Sequence, residues 1–403
     1  MFVTRNHKPI NLTMTRLLPT ILLLGLLPLQ WGFSQDVPPG KVGDTYHFEC
    51  ENIYFEADGA FGGQVSAFRL GTGELLYFSG EANDYLVGST LWPSPQNVWG
   101  WPPPAALDRE PYEVMIVENQ VIMESEKDPG SELVFRKTYS ASSNDTSVTL
   151  LYTIINEGSD PYSVAAWEVT RVPSESTITF FPAGEGAVTG DFADQTTTLN
   201  GIVWYEQENS DPTGKKFFSD GSEGWMAHVT ADNQLFIKTF PDIPADRQAP
   251  GEAEIELFYS GPTTYIELEN QSAYTEIPSG ESAGYEVRWF ARDIPASVDV
   301  SVGSGSLLDY TRSVINRFTG ASDAKTEGVL TISPNPALDD IRIRHATAPL
   351  QDFRLYDLSG RTVMQQQAPG NNRTISLEGI GSGYYLYTVR YRGEKHSGKI
   401  MVR

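Results

Sequence analysis

The chain has 403 residues and a formal net charge of −23, from 52 acidic against 29 basic side chains, which excludes nucleic acid and anionic membrane surfaces as partners. Its single cysteine, Cys50, rules out an intrachain disulfide, so stability must come from a sizeable core, which a chain of this length can build.

The first 34 residues have the pattern of a secretory signal. Arg5, Lys8 and Arg16 precede an apolar run from Leu17 to Leu29, and small residues at Gly32 and Ser34 place the cut before Gln35. Three basic and no acidic residues lie in that segment, so the remainder carries a net charge of about −26. The run is short for a membrane span and no later segment is long and apolar enough to be one, so no transmembrane segment is expected after cleavage.

An alternating run over 46–55 reads as the first strand, with Cys50 a buried strand residue rather than a reactive thiol. Next comes the most distinctive stretch, 88–112, in which Trp92, Trp99 and Trp101 stand among Pro93, Pro95, Pro102, Pro103, Pro104 and Pro111. Proline fixes φ and supplies no N–H, so this stretch is expected to be an extended, rigid loop and neither a central strand nor a helix interior. Indole faces beside Gln96, Asp108 and Tyr112 suit a ligand with C–H faces and hydroxyl rims, that is, a sugar; the same loop could equally plug one end of a β-sandwich.

Strand patterns follow at 113–124, 132–139, 147–155, 164–172, 201–205, 235–238, 254–259, 264–268 and 284–290, separated by turn clusters such as Asp128-Pro-Gly130 and Glu157-Gly-Ser-Asp160. So many strands with so little helix signal imply a large antiparallel all-β domain over residues 36–317. One helix is expected at its end, 306–317, followed by a linker at 318–328. From residue 329 the charge reverses, with about ten basic and six acidic residues, and six short strands suggest a small immunoglobulin-like β-sandwich.

That last segment resembles a known module. Ser333-Pro-Asn-Pro-Ala337, Phe353-Arg-Leu-Tyr-Asp-Leu-Ser-Gly-Arg361, Ile380-Gly-Ser-Gly-Tyr-Tyr-Leu-Tyr387 and the basic end Lys399-Ile-Met-Val-Arg403 are similar, in order and spacing, to the type A sorting domain of the type IX secretion system. The resemblance implies a Bacteroidota-type bacterium, the type IX machinery as a partner, and a protein that is secreted or held on the outer-membrane surface.

The body resembles a second family. Leu91-Trp-Pro-Ser-Pro-Gln96, Trp99-Gly-Trp-Pro-Pro103, Leu235-Phe-Ile-Lys-Thr-Phe240, Ala249-Pro-Gly-Glu252, Tyr265-Ile-Glu-Leu-Glu269 and Ile277-Pro-Ser-Gly-Glu281 are similar to a bacterial subfamily of the galactose-mutarotase-like β-supersandwich. Aldose 1-epimerases of this fold open a sugar ring with a histidine acid and a glutamate base, because one proton must be delivered and another removed near neutral pH. Of the two histidines in the body, His228 is the expected acid and His47 the weaker candidate; Glu267 or Glu269, two apart on one strand and hence on one face, would be the base. Glu254/Glu256 and Glu267/Glu269 could also be the solvated face of a sheet. Lys238, set among apolar residues, needs a partner such as Glu254 or Glu267, or else binds a sugar hydroxyl or carboxylate. Trp225 and Trp289 read as core.

No zinc, calcium, phosphate-loop or nucleophile-elbow motif occurs, so neither metal nor cofactor is expected. The reading is an exported all-β protein that recognises carbohydrate through an epimerase-like cleft, either as an enzyme or as a binder. The alternative is a structural or adhesive surface protein whose supersandwich binds a protein partner.

Overall fold

The computed structural model describes residues 36–79, 86, 88–208, 211–316, 331–333, 337, 340–344, 350–357, 361–370, 372–381, 383–391 and 394–402. The expected signal at 1–34 and linker at 318–328 lie outside them. Among the described residues no helix is long and apolar enough to cross a membrane.

Two large antiparallel sheets dominate. The first has 12 strands, running in space from Gly40–Val42 through Thr45–Cys50, Ile53–Asp58, Gln64–Leu70, Ser89–Ser94, Tyr162–Pro173, Tyr265–Gln271, Ile255–Tyr259 and Lys215–Ser219 to Thr189–Gly190, with two short strands alongside. The second has 10 strands and places Trp225–Val229, Gln234–Thr239, Ser282–Asp293, Ser147–Asn156 and Leu133–Ser142 at its centre. Their inner faces share one core, to which the first sheet contributes Phe55, Phe68, Leu257 and Leu268 and the second Phe135, Leu150, Phe236 and Trp289. Such a supersandwich, all-β with long antiparallel strands, is the fold class the strand patterns imply.

Period-two alternation then fixes what the other faces carry. On the ten-stranded sheet, Trp225, Ala227 and Val229 point away from the shared core and are covered by the helix Gly305–Asn316 through Leu307 and Val314. On the twelve-stranded sheet, Trp92, Trp167 and Val169 point outward, form a separate cluster, and are covered by the Trp-Pro segment instead.

The strand patterns at 46–55 and 113–124 are each a hairpin rather than one strand, Thr45–Cys50 with Ile53–Asp58 and Glu113–Val117 with Gln120–Glu124. Both turn at Glu-Asn, where Glu51 and Glu118 adopt φ of 54°. Across a two-residue turn the paired positions change parity, so the buried alternation shifts from Tyr46, Phe48 and Cys50 to Ile53, Phe55 and Ala57, a change of phase that the continuing apolar and aromatic run hides in the sequence.

The expected all-loop Trp-Pro stretch is corrected more sharply, because Ser89–Ser94 is a central strand. Pro93 pairs with Ala166, yet its nitrogen faces the opposite neighbour, where pairing stops after Val65↔Ser89. No ladder donor is lost, which is why proline is tolerated there. The strand is followed by a 3-10 turn, Gln96–Val98, and by the short helix Ala105–Asp108 directly after Pro104.

Beyond residue 331 a three-stranded and a four-stranded sheet enclose Ile341, Ile343, Phe353, Leu355, Ile375 and Val389. They share no strand with the large sheets, and Tyr356 and Leu386 pack on Val117 and Ile122 of the edge hairpin.

Candidate functional site

The outward face of the twelve-stranded sheet gathers more polar chemistry than a solvated sheet face requires. At its centre Trp92, 4% exposed, meets Trp99, Trp101 and Trp167 edge-on at centroid distances of 6.2, 5.8 and 5.3 Å. Edge-to-face packing of this kind holds rings rigidly and leaves the outermost one displayed. That ring is Trp101, which is 53% exposed.

Hydrogen bonds fix three of the four indoles, those of Trp92, Trp99 and Trp167. Trp92 Nε1 donates to Asp108 Oδ1 at 2.7 Å, joined there by Thr90 Oγ1 at 3.3 Å. Trp99 Nε1 donates to the Pro93 carbonyl at 2.6 Å, the group left over on the side where the sheet has parted. Asp108 is in turn seated by Gly62, at φ 62°, where a Cβ would run into the Asp108 carbonyl, so only glycine permits the approach. Gln64 Nε2 donates to the same carbonyl at 3.1 Å.

Beside the indoles lies a network of opposite charges. Glu256 and Glu269 are direct cross-strand partners, an arrangement that costs energy for two like charges. Lys216 relieves it, its Nζ donating at 2.6 Å to Glu256 Oε2 and at 2.8 Å to Glu269 Oε2 while lying 4.7 Å above the Trp167 ring. Burial pulls the lysine down, but Glu269 and Glu256 more than offset it and hold the ammonium well above its ordinary range. Burial also pushes Glu256 well above the usual carboxylate range, against the opposing pull of Lys216. Trp167 Nε1 donates to Glu269 Oε2 at 2.7 Å, and Gln271 Nε2 to Glu256 Oε1 at 2.8 Å. One pair over, Arg171 Nη2 lies 2.8 Å from Glu267 Oε1.

Several buried atoms on this face have no hydrogen-bond partner within the protein: Asp108 Oδ2, Glu269 Oε1, Gln271 Oε1 and the Arg171 nitrogens. Folding rarely leaves so many in one place, since each costs about 1–3 kcal/mol. The cluster thus sets unpaired acceptors and donors, all of them buried, beside aromatic faces.

Of the residues singled out in the sequence, Trp92, Trp99, Trp101, Asp108, Glu267 and Glu269 come together here. Gln96 stands at the margin, its backbone N–H donating to Glu252 Oε1 at 3.0 Å. Three others are elsewhere. Tyr112 lies in the shared core, its hydroxyl donating to the Leu107 carbonyl at 2.6 Å. Lys238 also points between the sheets, where its partners are Glu168 Oε2 at 2.7 Å, Thr170 Oγ1 and the Leu268 carbonyl, not Glu254 or Glu267. His228 is the largest correction. It is fully buried, faces inward from the ten-stranded sheet with Nδ1 2.9 Å from Thr179 Oγ1, and burial lowers its pKa to about 3. The twelve-stranded sheet stands between it and Glu267 or Glu269, so these residues cannot flank one sugar ring.

Trp167, Arg171, Lys216, Glu256 and Gln271 join the cluster without having been expected there, and Glu254, Glu256, Glu267 and Glu269 are all buried rather than solvated. The available signal was a Trp and an Arg four apart on one face of an apolar strand, opposite a strand whose matching positions are Glu, Glu and Gln.

Residues 93–292 match a family described as a domain of unknown function, DUF4380. Residues 331–403 match the secretion system C-terminal sorting domain, which marks the chain for export through the type IX system to the cell surface or the extracellular space. No curated protein matches. Among solved structures the chain is similar to a galactose mutarotase-like protein from Clostridium acetobutylicum, with 10% identity, 64% of this chain and 99% of that one covered, and a TM-score of 0.44. One from Lactobacillus casei gives 8%, 62%, 100% and 0.43. A TPR-domain containing protein from Parabacteroides distasonis gives 16% identity and a TM-score of 0.46; 64% of this chain is covered but only 49% of that one.

Proposed function

We propose that this exported protein binds a saccharide at the indole and carboxylate cluster on the outward face of its larger sheet. The observation that carries the reading is the set of buried, unpartnered acceptors on Asp108, Glu269 and Gln271, with open donors on Arg171, beside four tryptophans. A sugar hydroxyl donates and accepts at once, so vicinal hydroxyls can satisfy both sets, while the C–H face of the ring covers an indole. Lys216 and Trp101 give solvent its approach, the lysine side chain being 20% exposed. The proposal is binding; ring opening by His228 with Glu267 or Glu269 is no part of it, because those side chains occupy different compartments.

A glycan array with the full chain, followed by calorimetry on the best ligand, tests it. Trp101 is exposed, so Trp101→Ala leaves the fold intact and is expected to weaken binding about 10-fold or more, about the value of one good stacking contact. An array on which the folded protein retains no glycan, or undiminished binding by the variant, would remove the site.

A further inference from the structure

We propose that the saccharide carries a carboxylate and that Arg171 selects it, an inference that rests on the saccharide reading above. The cations of this region are not equivalent. Lys216 already uses two of its three donors on Glu256 and Glu269, and Lys238 is held on the inner side of the sheet by Glu168, Thr170 and the Leu268 carbonyl. Arg171 is buried, its guanidinium carbon 5.3 Å from the Trp92 ring and 5.8 Å from the Tyr265 ring. Between those two faces Nε, Nη1 and Nη2 lack an acceptor in hydrogen-bonding alignment. Glu267 Oε1 lies 2.8 Å from Nη2, an ion pair at one nitrogen that leaves Nε and Nη1 without an acceptor.

A guanidinium set between two aromatic rings suits a bidentate acid, whose two oxygens meet two parallel N–H groups. Glu267 acts as a placeholder. It neutralises Arg171 while the site is empty and gives way when a ligand acid arrives. Burial raises its carboxyl, with Arg171 opposing. Its side chain keeps 10% of its surface in solvent and Tyr265 is half-buried, so the pair can be reached from that end. A neutral sugar would satisfy Asp108, Glu269 and Gln271 and offer Arg171 single hydroxyl oxygens only, not the paired oxygens that fill its fork. A uronic acid satisfies both.

Calorimetry with the full chain at pH 7, comparing D-galacturonate and D-glucuronate with D-galactose and D-glucose, is the test. The acids are expected to bind about 10-fold tighter than their neutral counterparts, equivalent to ~1.4 kcal/mol. Arg171→Gln should abolish that preference, bringing acid and neutral sugars to the same, weaker affinity, and Arg171→Lys should reduce it, because an ammonium keeps the charge but not the fork. Glu267→Gln removes the internal competitor and should hold or raise affinity for the acid. Equal affinities in the wild type, or a preference that survives Arg171→Gln, overturns the inference and leaves saccharide binding standing. If Arg171→Gln does not fold, a loss of acid binding in Glu267→Gln overturns it as well. Binding of neither class removes the saccharide reading and this inference together.

Discussion

Asp108 shows how much one side chain carries. One of its oxygens holds the indole at the centre of the cluster, its carbonyl is clamped by Gln64, and its place depends on a glycine at 62. Asp108→Ala would leave the Trp92 N–H buried without an acceptor, and a loss of about 1–3 kcal/mol is expected in urea unfolding. Asp108→Asn keeps one acceptor oxygen and should lose less. Beneath the same loop, Lys137 donates to the Gly62 carbonyl at 2.7 Å, and burial lowers its pKa to about 7, opposed by Asp108 and Glu168. The folded value lies below that of an unfolded lysine, about 10.4, so the buried ammonium is penalised fully below pH 7 and less and less as pH rises towards 10.4. Wild-type stability should therefore gain on Lys137→Met between pH 8 and 10, by up to ~1.4 kcal/mol per pH unit. Glu254, whose carboxyl burial raises to about 8, opposes this trend only at lower pH. Parallel denaturation curves across that window would refute the assignment of the low value to Lys137.

At the scale of elements, the two sheets differ in what covers their outer faces, and that difference locates the site. The ten-stranded sheet is sealed by an amphipathic helix that buries Leu307 completely. Leu307→Ala removes atoms from a packed interface and is expected to cost about 2–5 kcal/mol, readable as a lower urea midpoint with binding unchanged. The twelve-stranded sheet is covered by a proline-stiffened segment instead, with charges beneath it. Much of this was legible beforehand: the strands near 133–142, 147–156 and 282–293 and the closing helix follow from alternation and amphipathicity, and the shared face of Glu267 and Glu269 from their spacing. The strand Ser89–Ser94 was not, because the rule against proline in a central strand assumes two paired neighbours and this strand has one over most of its length. Nor was the inward turn of His228 and Lys238. Every residue of Trp225–Val229 is buried, so nothing in its composition says which alternate positions face the shared core and which the helix. Arg171 stayed hidden for a related reason, since a cation within an apolar run announces that it needs a partner but not on which face it will find one.

The whole molecule divides its labour along the chain. The acidic supersandwich holds the proposed binding site, while the last seventy-odd residues form a separate pair of small sheets, among the described residues, that share no strand with it and carry the export address. This part was the most legible, because an address is read by outside machinery as a short series of motifs, whereas a binding face is assembled from strands distant in sequence. The division makes a prediction that owes nothing to the saccharide reading. Expressed in a bacterium with a type IX system, the full chain should reach the cell surface or the medium, and a chain ending at residue 330 should stay behind the outer membrane. Binding by the retained chain, purified from the periplasm, should match that of the exported one if the supersandwich alone forms the site. Fractionation followed by immunoblotting reads the first outcome. A truncated chain found outside in the same proportion as the full one would mean that residues 331–403 do not direct export.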